Sequence, residues 1–93
     1  MAQALFNPTH LAANGGTTCK TGRGILTAIV INTKGSAGNT CTVYDNTAAS
    51  GTVIAIIDTT AAIGTLLYDC FVTNGVHVVL ATGGAADITV VTD

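Results

Sequence analysis

The residues able to do chemistry are few and far apart. A chain of 93 residues carries Cys19, Cys41 and Cys70, two histidines (His10, His77), five aspartates (Asp45, Asp58, Asp69, Asp87, Asp93) and no glutamate. Zinc and redox motifs need closely spaced cysteine pairs, which this spacing does not supply. The three thiols therefore read as reduced, small apolar side chains that fill core space, with an intersubunit disulfide as the alternative. His77, in "VHVV", could be drawn beside Cys70 or Asp69 as a nucleophile–base pair, but no third group orients it. A single histidine in an alternating strand reads as a surface or interface residue. Asp45, Asn46, Asp58 and Asp87 fall at strand ends, where calcium finds oxygen ligands, yet no contiguous acidic loop is present. "GGTTCKT" (15–21) departs from a phosphate-binding loop, since Cys19 stands where the glycine before lysine belongs and Asn14 where the first glycine belongs. Lys20 and Arg23, on the "KTGRG" turn, either clamp a partner's carboxylate or stay solvated. No catalytic residue, metal or cofactor is expected.

Composition narrows the function classes. Charged residues make up 9% of the chain, Lys20, Arg23 and Lys34 are its only basic side chains, and the net charge is −2. That leaves no basic footprint for nucleic acid. The apolar stretches 25–31 and 53–57 are far shorter than the roughly 20 residues that span a bilayer, so no membrane is expected. The N-terminal stretch lacks the basic start and apolar run of a signal peptide, which predicts synthesis and assembly in a cytosol. Eight charges on about 5,000 Å² of surface is sparse for a lone domain of this size, which is itself near the lower limit for independent stability. Self-association is predicted.

These residues must be positioned by strands. Short β-branched segments alternate with Gly, Asn, Ser and Asp clusters, predicting seven strands near 17–21, 24–33, 39–46, 51–58, 65–73, 76–82 and 86–92. The class is all-β, a small antiparallel sandwich or barrel. Residues 1–16 read as an extended arm, broken at Asn7-Pro8, turned at Asn14-Gly15-Gly16 and anchored by Leu5, Phe6 and Leu11; residues 17–93 form the domain. In "ADITVVTD" Ile88 and Val90 face one way and Asp87, Thr89 and Val91 the other, a strand buried on one face. "GILTAIVINT" and "TVIAIID" are apolar on both faces. Ile25, Ile29 and Ile31 oppose Leu26, Ala28 and Val30, and Val53, Ala55 and Ile57 oppose Ile54 and Ile56. One face fills the core and the other, Ile54 and Ile56, is a predicted contact with neighbouring chains. Tyr44-Asp45 and Tyr68-Asp69 repeat a dipeptide without repeating what surrounds it, and read as coincidence.

The runs "TVYDNTAASGTVIAIIDTT" and "GTLLYDCFVTNGVHVVLATGGAADITVVTD" resemble small all-β virion proteins of tailed bacteriophages, in their Tyr-Asp-Asn-Thr strand end, Ala-Ser-Gly turn and Thr-Asn-Gly hairpin. The resemblance covers roughly 24–93. It implies a jelly-roll-like sandwich that acts as a capsid decoration (cement) protein or within a head or tail fibre, where it would bind a receptor or glycan. It also implies the major capsid protein as partner, a location on the virion surface, and a homotrimer at threefold positions. Leu5, Phe6, Leu11, Lys20, Arg23, Ile54 and Ile56 are the predicted contact residues.

Overall fold

The computed structural model describes residues 6–61 and 64–93. They form eight strands: β1 (Asn7–Leu11), β2 (Gly15–Thr21), β3 (Gly24–Thr33), β4 (Thr40–Asp45), β5 (Thr52–Asp58), β6 (Gly64–Val72), β7 (Gly75–Ala81) and β8 (Asp87–Thr92). Two antiparallel sheets result, ordered β1-β8-β3-β6 and β2-β7-β4-β5. Seven strands fall close to the predicted spans, and β1 is the eighth.

The extended arm is not found for the described part of 1–16. Asn7–Leu11 pairs along its whole length with β8, from Asn7 opposite Thr92 to Leu11 opposite Ile88. Pro8 did not prevent this because β1 is an edge strand, where a missing N–H can face solvent without breaking a ladder. Leu11 then packs on the core rather than reaching outward.

Among the described residues only β4 and β5 are neighbours in both sequence and sheet; every other connection passes between sheets. The Thr73–Gly75 turn is therefore a corner between sheets and not the expected hairpin. Gly75, at φ 144°, is suited to it, since a Cβ there would collide with the Lys20 carbonyl.

The core lies between the sheets. Leu26, Ile29, Ile31, Val72, Ile88 and Val90 meet Cys41, Val43, Ile57, Val76, Val78 and Leu80. Each such burial is worth about 1.5–3 kcal/mol relative to exposure for an aliphatic side chain. The β8 alternation is as read from the sequence, but two bulges change the faces elsewhere. Register slips between Leu26 and Ala28, so Leu26 joins Ile29 and Ile31 inside while Ile25 turns outward. On β5 one extra residue lies between the Val43↔Ala55 and Tyr44↔Val53 pairs. Ile54 and Ala55 both pack inward and Val53 turns out. A single inserted residue reverses every face beyond it, and the sequence pattern does not mark where that happens.

Polar pins close both ends. Asn39, wholly buried, donates from Nδ2 to Asn14 Oδ1 (2.9 Å) and to the carbonyls of Ala81 (3.2 Å) and Thr82 (2.8 Å). Its Oδ1 accepts from Thr59 Oγ1 (2.7 Å) and the Ala86 N–H (3.2 Å). At the opposite end Asp45 accepts the backbone N–H groups of Thr73, Asn74 and Gly75.

Candidate interaction surface

One end of the outer face of the β1-β8-β3-β6 sheet is apolar across its width, while the other end carries His10, Asn32, Asp87 and Thr89. Pairing aligns Pro8, Val91, Ala28 and Leu67 in one row across the four strands. Ile25 lies opposite Phe71 in the next row, and Phe6 precedes β1 at the same end. Exposures are large: Phe6 52%, Ile25 41%, Leu67 72% and Phe71 60%. Val30 and Val91 are half-buried between them. The Arg23 guanidinium stands 5.3 Å from the Phe71 ring centroid, within cation–π range. Asp69, exposed at φ 46°, lies between Leu67 and Phe71 on edge strand β6.

Formal charges near this face are mostly satisfied within the chain. His10 Nε2 meets Asp87 Oδ1 at 2.8 Å, and Asn32 Nδ2 donates to the same oxygen at 3.0 Å. The Asn32 amide and His10 hold the Asp87 carboxyl below its ordinary range. Lys20 Nζ pairs with Asp93 Oδ1 at 3.1 Å, an oxygen that also accepts the Ile25 N–H at 2.9 Å. Asp93 is likewise lowered, first by that N–H and then by Lys20. Gly24 leaves the space this pair occupies, since a Cβ there would run into both side chains.

The other outer face, on β2-β7-β4-β5, is mixed. His77 Nδ1 lies 2.9 Å from Thr18 Oγ1, and Thr18 Oγ1 donates to the Thr47 carbonyl at 3.1 Å. The ring lies 6.5 Å from Tyr44 and above Gly16, whose missing Cβ leaves it room.

Of the predicted contact residues, Phe6 and Arg23 fall on the first apolar face. Lys20 is engaged by Asp93 beside it, Leu11 and Ile54 pack inward, and Leu5 lies outside the described residues. Ile56, 70% exposed, is on the second sheet at edge strand β5. Ile25, Leu67 and Phe71 were missed. The signal was present in "GTLLYDCFV", which is apolar in both phases just as β3 and β5 are.

The catalytic and metal pairings drawn from the sequence do not assemble. Cys70 packs inward on one sheet, Asp69 is exposed on that sheet's outer side, and His77 faces outward from the other sheet. Asp45 and Asp58 lie at opposite ends of the β4–β5 pair. Asp58 caps Thr60, accepting from its N–H at 2.9 Å. Among the described residues no three His, Cys, Asp or Glu side chains cluster as metal ligands. "GGTTCKT" is strand β2 rather than a phosphate loop. Tyr44 faces outward and Tyr68 inward, so the two Tyr-Asp pairs share no environment. All three cysteines are free thiols, and burial pushes Cys19 up to about 11 and Cys41 up to about 12.

Set against protein-family models, characterised proteins and solved structures, the chain matches none.

Proposed function

We propose that this chain is a structural protein of a bacteriophage particle, a decoration (cement) protein that binds the outer surface of the head and braces it. The observation that carries the reading is an apolar patch, Ile25, Leu67 and Phe71, left bare on one sheet face of a chain with only eight formal charges. Such a surface suits a subunit that works by covering and being covered. The strand order β1-β8-β3-β6 against β2-β7-β4-β5 supports a jelly-roll reading, an architecture frequent among viral capsid proteins. The resemblance of 24–93 to small virion proteins supports the same role. Copies associate with one another and with the major capsid protein, and many weak contacts acting together hold neighbouring capsomers.

The test is to add the purified chain to heads stripped of accessory proteins and follow binding and the temperature of DNA release. Binding with a raised release temperature is the expected result. Failure to bind heads would shift the reading to a fibre module for a receptor or glycan. Tyr44 beside His77 favours that second reading, as a small stacking platform on the other sheet.

A further inference from the structure

We infer that the outer face of the β1-β8-β3-β6 sheet is where a second copy of this chain docks, closing a twofold dimer sheet against sheet. Three of the six exposed large hydrophobic side chains among the described residues, Ile25, Leu67 and Phe71, belong to this one face, and a fourth, Phe6, immediately precedes its edge strand β1. The remaining two, Val53 and Ile56, are on β5 of the other sheet, whose outer centre is occupied by the His77–Thr18 hydrogen bond. In the middle of that apolar end, β8 and β3 present the aliphatic Val91, Ala28 and Val30, with Arg23 and Asp69 towards the β6 edge, and cores of interfaces are likewise depleted of charge.

Size and charge both select a copy of the same chain. Four strands about 4.8 Å apart and six residues long make a face of roughly 400 Å² in projection, more once side-chain relief is counted. Doubling it across two copies, with the Arg23 corner added, reaches about 1,000 Å², the lower bound of a specific interface. A four-stranded sheet face with an apolar end packs well on another sheet of matching width, and an identical chain supplies one. The rim also carries both signs. Arg23 and Asp69 make no ion pair among the described residues, while of the other charges beside the face Asp87 is hydrogen-bonded to His10 and Asp93 is paired with Lys20.

A patch that meets itself is isologous and closes at two subunits. Association should therefore stop at a dimer rather than the trimer expected from the sequence. On this arrangement the His77 side of the molecule stays free, so a particle-bound dimer could present it outward. The inference stands apart from the virion reading, because it concerns the isolated protein.

Light scattering with size exclusion on the isolated full chain tests it. At micromolar concentration the mass should be twice the 9.2 kDa of one chain. Leu67→Asp and, separately, Phe71→Ser should each raise the dimer dissociation constant about 30-fold, the loss of one interface hot spot. Both sites are exposed, so far-UV circular dichroism should be unchanged; Leu67→Thr replaces any variant that does not fold. Ile56→Asp, on the other sheet, should leave the dimer intact. A monomer throughout, a trimer, or a dimer broken by Ile56→Asp and not by Leu67→Asp would overturn the assignment. Head binding is measured separately, so a dimer that ignores heads would remove the head-decoration reading and leave this one standing.

Discussion

Thr59 Oγ1 donates to Asn39 Oδ1 at 2.7 Å, while the amide nitrogen of Asn39 faces three oxygen acceptors. The environment dictates which way the amide points. One wholly buried side chain thereby ties the approach to β4 to the ends of β5 and β7 and to the β1–β2 link. Asn39→Asp should cost about 3 kcal/mol or more, since it sets an acceptor against acceptors and strips their donors. Asn39→Ala should cost somewhat less. Urea unfolding followed by circular dichroism measures both.

Asp45 makes the protein sensitive to acid. The N–H groups of Asn74, Thr73 and Gly75 hold its carboxyl below the ordinary range. A depressed folded value adds stability that is complete above the unfolded value near 4 and is lost as pH falls through the folded one. Melting temperature should thus be flat above about pH 5 and fall below pH 4. Asp45→Asn should be less stable than wild type at neutral pH and should lose less on acidification. A residual slope should remain from Asp58, Asp87 and Asp93, all lowered in the same direction.

Thr27 sits at the β3 bulge with its hydroxyl buried and without a hydrogen-bond partner among the described residues. Thr27→Val keeps the shape and removes the unpaired group. Stability should rise by about 1 kcal/mol, or roughly 4–8 °C in Tm for a domain of this size. Differential scanning calorimetry reads the gain directly.

The thiols should be inert in the folded protein. With Cys19 raised to about 11 and Cys41 to about 12 by burial, little thiolate exists at pH 8. Both should react with a thiol reagent at least about a hundredfold more slowly than free cysteine. In denaturant all three cysteines should react at once, and mass spectrometry after labelling assigns each.

Strand positions were legible because β-branched runs and Gly, Asn and Asp breaks are local signals. Ile88 and Val90 were assigned to the core from simple alternation, which β8 keeps without interruption. Ile25 was grouped with Ile29 and Ile31, and Leu26 with Ala28 and Val30, whereas Leu26 shares the inner face with Ile29 and Ile31, because a bulge depends on how β3 meets β6 and β8, a tertiary property. Ile54 failed for the same reason on β5. β1 was hidden by Pro8, whose meaning depends on whether its strand is at an edge, and sheet order cannot be read from one segment. The apolar face shows this most clearly: Leu67 and Phe71 are four residues apart within one strand, but their neighbours Pro8, Ile25 and Val91 are brought in only by the fold.

The proposed role is tested most directly by where the chain is found when it is made in its own setting. Particles released from an infected culture can be banded on a density gradient, and the chain quantified by mass spectrometry against the major capsid protein. A decoration protein should band with DNA-filled heads at a fixed stoichiometry and be depleted from the unbanded fraction. Recovery of the chain only in the unbanded fraction, with intact heads carrying none, would contradict the role proposed for it.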